Sequence, residues 1–255
     1  MILRVLLLAG TSEARQIAAG LATMPGVNAT ASLAGAVRVP APLAVPTRIG
    51  GFGGAAGFAA FLRQERIGLV VDATHPFARR IGPRSAQVCA ARGVGYLRVL
   101  RPAWQAGPGD LWTSIAAEED AANHIPAGAT VFLATGAQRL NRFANLAGRR
   151  VICRVIDPPG APCPVAGGAY VVSRPPHDAA AESALFRRLR VDWVVARNAG
   201  GAAGRGKLDA ARALRLPVAL IARPAQPAVG PADGPVDGPE AALAAIAEKV
   251  WTNAS

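Results

Sequence analysis

Asp72, Thr74 and His75 stand within four residues of one another in the segment DATHPFA, Asp72 to Ala78, directly behind the apolar run Ile67 to Val71. A carboxylate, a hydroxyl and an imidazole so close together can hold the polar groups of a ligand or move a proton. The imidazole does so most readily, because its unperturbed pKa lies near neutrality. A β-branched run that ends in such residues reads as a strand delivering them to a site. Pro76 disfavours helix at His75 and suits the first turn of a helix, which places Thr74 and His75 at the strand's carboxyl end. Ligands of open parallel sheets bind at that edge. A solvated strand-to-helix connection accounts for these seven residues about equally well.

A second polar turn, GTSEAR at Gly10 to Arg15, follows the apolar run Leu3 to Ala9. The free N–H groups and dipole of a helix starting there favour an anion such as a phosphate. Gly10 lets a backbone approach closely, and the hydroxyls of Thr11 and Ser12 can donate hydrogen bonds. Arg15 can face either solvent or a ligand. The next glycine is Gly20, so the full GxGxxG fingerprint of dinucleotide sites is missing. An NAD site also carries Asp or Glu about 20 residues after the glycine turn, to hold the ribose 2′-hydroxyl. Between Glu13 and Glu65 there is no acidic residue. The second strand ends instead in Ser32, Leu33, Ala34 and Gly35, with Arg38 close behind, an arrangement that favours NADPH over NADH.

Three more glycine-rich stretches precede helices. GGFGGAAG, Gly50 to Gly57, reads as close packing or a flexible turn and is left out of the site. ATGAQRL, Ala134 to Leu140, repeats the strand, glycine, helix arrangement with Thr135 and Gly136 at the turn, as a second anion site or a plain helix start. NAGGAAGRGK, Asn198 to Lys207, follows the run Trp193 to Ala196.

Taken in order, GTSEAR, DATHPFA and NAGGAAGRGK, followed by DAARALRLPVALIARP at Asp209 to Pro224, resemble the precorrin-6A reductase family of cobalamin biosynthesis over nearly the whole chain. There are departures: Arg197 stands where that pattern has Lys, Ala199 where it has Ser, and Arg174 to Pro176 reads RPP. The resemblance implies NADPH-dependent reduction of one double bond of precorrin-6A to give precorrin-6B. It places the cofactor on Gly10, Thr11, Ser12, Arg15, Ser32, Gly35, Arg38, Asp72 and Thr74. A polycarboxylate tetrapyrrole would lie against His75, Thr135, Gly136, Asn198, Gly200, Gly201 and Lys207, with His75 as the candidate acid. The cobalt-precorrin-6A reductases of the cobalt-early route are a related alternative, and a non-catalytic tetrapyrrole- or nucleotide-binding module is another. Neither Tyr96 nor Tyr170 has a Lys four residues on, and GxSxG is absent, so short-chain dehydrogenase and hydrolase patterns do not apply.

The formal charge is +12, and all but two of the 28 basic side chains are Arg, the exceptions being Lys207 and Lys249. Arg makes bidentate, charge-assisted bonds to carboxylate and phosphate, so an anionic small ligand suits this balance, although genomic base composition accounts for it as well. Nucleic acid does not suit it: the arginines form no single tract, aromatic residues make up 5% of the chain, and no recognised nucleic-acid module appears. Cys89, Cys153 and Cys163 lack CxxC spacing and His75, His124 and His177 lack HExxH, so neither disulfides nor a metal is expected. No run approaches the roughly 20 apolar residues of a membrane span, and no signal-peptide plan is visible. A cytoplasmic monomer or small homo-oligomer is expected.

The elements that must position these residues follow a βαβα rhythm. Strand-like runs at Leu3 to Ala9, Val27 to Leu33, Ile67 to Val71 and Tyr96 to Leu100 alternate with helical ones at Ser12 to Ala22, Ala55 to Arg66 and Phe77 to Arg92. After the Pro/Gly-rich RPAWQAGPGDLW, Arg101 to Trp112, strands are expected at Thr130 to Ala134, Arg150 to Ile156, Tyr170 to Ser173, Asp192 to Ala196 and Val218 to Ala222. Helices are expected at Ala137 to Leu146, Ala179 to Leu189, Ala203 to Leu214 and Pro239 to Trp251. This rhythm predicts α/β architecture: two Rossmann-like parallel-sheet domains, residues 1–102 and 113–255, with an interdomain cleft.

Overall fold

The computed structural model describes residues 2–34, 42–225 and 235–252. The first apolar run forms β1, Leu3–Leu8, whose Val5 to Leu8 are buried. A strand covered by helices on both faces is expected to read as such an unbroken apolar run. Thr11 caps α1, Ser12–Ala22, by accepting the Ala14 N–H. The helix buries Ala14, Ile17, Ala18 and Leu21, the spacing of one helical face. Next come β2, Val27–Leu33, β3, Thr47–Ile49, and α2, Gly54–Gln64. They are followed by β4, Leu69–Asp72, α3, Ile81–Arg92, and β5, Gly95–Arg98. All five strands are parallel, in the order β3-β2-β1-β4-β5. Leu6, Leu8 and Val70 pack one face against Phe58 and Leu62 of α2 and Val88 and Cys89 of α3. On the other face Val5 and Leu7, with Ala29 and Ala31 of β2, share a core with Ile17, Ala18 and Leu21 of α1.

A second compact unit, Ala103–Arg223, is built on a six-stranded sheet. Its elements are β6, Trp112–Ile115, β7, Thr130–Ala134, β8, Arg150–Val155, β9, Ala169–Val172, α4, Ala179–Leu189, β10, Trp193–Arg197, α5, Gly206–Ala213, and β11, Val218–Ile221. The order is β6-β11-β10-β7-β8-β9, again all parallel. Phe132 and Phe186 meet edge to face at 5.0 Å in a core shared with Val194, Ala196, Leu208 and Ala211. The two α/β sheets follow the expected architecture.

The expected domain limits need one correction. Placing residues 113–255 together assigned the last helix, α6, Gly238–Thr252, to the second domain, but Pro224–Ser255 belongs to the first unit. The physical reason is an uncovered strip. Helix α1 covers only part of its face of the first sheet, and Ala242 and Ile246 of α6, both fully buried, complete that face over Leu69, Val71, Leu97 and Val99. Gly20 of α1 permits the close approach, since a Cβ there would lie 2.5 Å from Leu243 Cδ1. Val236, ahead of α6, pairs with Val99 beyond β5, through Leu100 N–H to Val236 O and Val236 N–H to Arg98 O, both 2.9 Å.

Smaller differences are local. Helix α3 begins at Ile81 rather than Phe77, because residues 76–80 form turns after the proline. The stretch expected as helix from Ala137 is a short 3-10 helix, Leu140–Leu146. Strand β3 is the poorly defined strand expected ahead of Gly50, and β6 lies in a stretch for which no strand is expected. Ile246→Ala is expected to cost about 3 kcal/mol, the range for removing a buried aliphatic side chain. Amide hydrogen exchange should then quicken in β1 and β4 while β7 and β10 keep their protection; equal acceleration in both sheets would contradict the assignment of α6 to the first unit.

Candidate active site

The DATHPFA turn is organised around Asp72, the last residue of β4 and fully buried. Its Oδ1 accepts the Thr74 hydroxyl at 2.6 Å, the Thr74 N–H at 3.0 Å and Arg98 Nη1 at 2.9 Å. Its Oδ2 accepts the Tyr96 hydroxyl at 2.6 Å. Arg98, 3% exposed, also donates to the carbonyls of Asp72 and Thr74 at 2.9 and 3.1 Å. Burial, and after it the Asp72 carboxylate, raises the pKa of Tyr96, so it remains a phenol and donates. Both carboxylate oxygens of Asp72, expected at the cofactor, bond protein groups, and the residue shapes the turn that presents Thr74 and His75. His75 Nδ1 accepts the Phe77 N–H at 3.2 Å, which leaves the proton of the neutral ring on Nε2.

Thr11 ties the first turn to this one. Its hydroxyl donates to Ala73 O at 2.8 Å and accepts the Ala14 N–H at 3.2 Å, so Thr11 positions two turns and has no proton left to donate to a phosphate. Gly10, at φ 138°, takes a conformation few other residues adopt. Ser12 is exposed and donates to Glu13 Oε2 at 3.1 Å. Arg101 Nη1 donates to that same oxygen at 2.6 Å. Burial raises Glu13, but the Arg101 guanidinium, the Ser12 hydroxyl and the backbone outweigh it and hold the carboxyl below its usual value. The pair therefore contributes stability above the unfolded-chain value of roughly 4.3 and loses it as pH falls through the lower folded value. Arg15 is exposed on α1 and reaches Pro42 O at 3.4 Å.

Beside these turns lies a cavity of about 150 Å³ at the carboxyl ends of β1 to β4, lined among others by Ala9, Ser32, Gly50, Gly51, Phe52, Thr74, Ile81 and Arg84. Ser32, buried at the end of β2, accepts Arg48 Nη1 at 2.7 Å and keeps its own proton to donate. Arg48, on β3, lies 4.1 Å from the centre of the Phe52 ring and donates to the carbonyls of Gly50 and Gly51 at 2.9 and 3.0 Å. Arg84 Nε is buried and has no hydrogen-bond partner among the described residues. Gly50, Gly51 and Phe52 of the GGFGG stretch, left out on sequence grounds, thus line this cavity with Ile81 and Arg84, and Arg48 bonds its rim. A glycine pair followed by an aromatic residue, just after a basic one, was the signal for it. Gly35 and Arg38, expected at the same place, lie outside the described residues.

In the second unit the expected residues gather at the carboxyl ends of β7 and β10. Thr135 is buried there and Gly136, at φ 75°, is exposed. Asn198, expected as a substrate contact, bonds Trp104. Its amide spans the Trp104 backbone, accepting the Trp104 N–H at 2.8 Å and donating to Trp104 O at 3.0 Å. The Trp104 indole donates to Gly201 O at 2.9 Å, and Lys207 Nζ sits 5.1 Å from its ring centre. Gly200 and Gly201 both take positive φ in this turn. Trp104 thus bonds this loop at two residues, Asn198 and Gly201. Among the described residues no group of three His, Cys, Asp or Glu could hold a metal ion, and no helix is long and apolar enough to cross a membrane.

Comparison with known proteins places this geometry. A family model described as precorrin-6x reductase CbiJ/CobK matches residues 4–247. The chain is 44% identical over 225 residues to a precorrin-6A reductase of Rhodococcus erythropolis, covering 88% of this chain and 90% of that protein. It is 45% identical over 226 residues to one from Mycobacterium tuberculosis, covering 88% and 91%. A solved structure titled CobK precorrin-6A reductase superposes with a TM-score of 0.89 at 39% identity, over 97% of each chain.

Asp72→Asn is expected to cost about 3 kcal/mol, because the buried Arg98 loses its counter-charge. Tyr96→Phe should cost about 1 kcal/mol, one hydrogen bond to a carboxylate that keeps its other partners. Chemical denaturation of the two variants tests this ranking, and a larger loss for Tyr96→Phe would contradict the central place given to the ion pair.

Proposed function

The chain belongs to the precorrin-6x reductase family, and from that premise we propose that it reduces one double bond of precorrin-6A to give precorrin-6B in cobalamin biosynthesis, with NADPH as the reductant and the cytoplasm as its location. The observation that carries the cofactor reading is the cavity at the ends of β1 to β4, where the strand end that would bear an acid in an NAD site bears Ser32 beside Arg48. Arg84 Nε, buried at that cavity and without a hydrogen-bond partner among the described residues, is the kind of atom a polar ligand would satisfy.

These residues fit a phosphorylated dinucleotide. Ser32, Phe52, Ile81 and Arg84 would hold its adenosine end, and Arg48 supplies the positive charge that a 2′-phosphate calls for. The N-terminus of α1, opened by Gly10, would take the pyrophosphate through its N–H groups. When bound, NADPH supplies the hydride. The chain's own part is positioning and proton supply: Asp72 and Arg98 fix the turn that carries Thr74 and His75, and Thr11 locks that turn to α1. We assign His75 as the acid: charged as the imidazolium, a form that gives up the Phe77 N–H contact at Nδ1, it would protonate the carbon next to the reduced one and be left neutral. The excess of arginine in the chain suits a substrate fringed with carboxylates.

The test follows NADPH absorbance and the macrocycle spectrum together when the protein meets cobalt-free precorrin-6A, with NADH in parallel. Coupled loss of both signals with NADPH is expected, and binding of the macrocycle with no oxidation of NADPH would refute the reductase reading. Ser32→Asp should cut the preference for NADPH over NADH by about tenfold, since a carboxylate there takes Arg48 for itself and repels a phosphate. An unchanged preference in that variant would move the 2′-phosphate elsewhere. His75→Asn should lower kcat by roughly 10²-fold with little effect on the Kd for NADPH.

A further inference from the structure

At the carboxyl edge of the second sheet, one buried carboxylate gathers three guanidinium groups. Glu118, 1% exposed, lies 3.0 Å from Arg139 Nε and 3.4 Å from Arg197 Nη2 through its Oε1, and 3.6 Å from Arg142 Nε through its Oε2. Arg142 pairs also with the exposed Glu119. Three positive groups thus meet two negative ones. Arg139 reaches Glu118 by its Nε side, and neither of its Nη groups hydrogen-bonds a described residue, so the outer fork of this guanidinium, 27% exposed in its side chain, is left for another acceptor. Ala134 of β7 pairs with Ala196 of β10, so Thr135 and Arg197 follow one another on neighbouring strands at this edge. The Thr135 hydroxyl is buried and without a hydrogen-bond partner among the described residues, although a buried hydroxyl normally has one.

A guanidinium fork and an unsatisfied hydroxyl, backed by surplus positive charge, match one planar anion with two acceptor oxygens. We propose that Arg139 and Thr135, with Arg197 beside them, form a carboxylate-binding site that takes one acid side chain of the macrocycle, and that Glu118 is its positioning residue, fixing Arg139 and Arg197 before the ligand arrives. This rests on the reading of the substrate as a polycarboxylate tetrapyrrole. The buried Glu118 has no other evident use. Placing its charge in the sheet edge is costly unless cations surround it, and those cations are then pre-ordered for an anion from outside.

The test compares wild type with Arg139→Gln, Arg139→Lys, Thr135→Val and Glu118→Gln, measuring kcat and KM for precorrin-6A and, by fluorescence, the Kd for NADPH. Arg139→Gln should raise KM about tenfold, the loss of a charge-assisted bond, with kcat within about twofold. Arg139→Lys, which keeps the charge but not the fork, should fall between it and wild type. Glu118→Gln should raise KM in the same direction; because it also disturbs a buried cluster, the partly exposed Arg139 is the more decisive position. Unchanged KM in Arg139→Gln and Thr135→Val, with wild type turning over normally, overturns the site and leaves the reductase standing. A weaker Kd for NADPH in these variants also overturns it, by giving the site to a cofactor phosphate. Failure of wild type itself to reduce precorrin-6A removes the substrate reading and this site with it.

Discussion

The ion pair between Asp72 and Arg98 is the interaction on which the first unit's functional edge depends. Two opposite charges sit at the ends of neighbouring strands, 0% and 3% exposed, in a place where either alone would be intolerable. Removing them from water is offset by dense bonding: four donated hydrogens on Asp72, and three carbonyl or carboxylate acceptors for a single Arg98 nitrogen. Such a pair contributes shape more than stability. It holds the chain after β4 in one conformation, and through Thr74 and Ala73 that conformation reaches the cap of α1.

Several of the polar residues that mark these motifs are framework. Thr11, Asp72 and Asn198 direct their hydrogen-bonding capacity at protein partners, while Ser32, Arg84, Thr135 and Arg139 keep groups that a ligand can use. The division is physical: a group that must be in place before a ligand arrives needs its own partners, and a group that binds the ligand must lack one. In both units the residues of the second kind gather around the carboxyl ends of parallel strands: Ser32 on β2 and Arg84 on α3 at one cavity, Thr135 and Arg139 after β7.

The alternation of strands and helices was legible because buried parallel strands are continuous apolar runs, as at Val5 to Leu8, and because Pro76 and Gly10 punctuate the chain where the turns fall. The site's position at the ends of β1 and β4 followed from the same runs. Its partners did not. Trp104 and Asn198 are 94 residues apart, and no spacing rule links a backbone amide to so distant a side chain. Strand β3 is three residues long with no buried position, so neither run length nor alternation announces it; Arg48 on its own carries no sequence signal, and the glycines behind it read as packing or a flexible turn. The amphipathic pattern of the last helix states that it needs a sheet to cover, but the pattern is the same whichever sheet that is.

Helix α6 gives the molecule an order in time. The second unit is one uninterrupted stretch, Ala103–Arg223, and all its strands are synthesised before the helix that closes the first core. The strip over Leu69, Val71, Leu97 and Val99 must wait through more than a hundred residues of synthesis for Ala242 and Ile246, so the first unit is the last to be sealed.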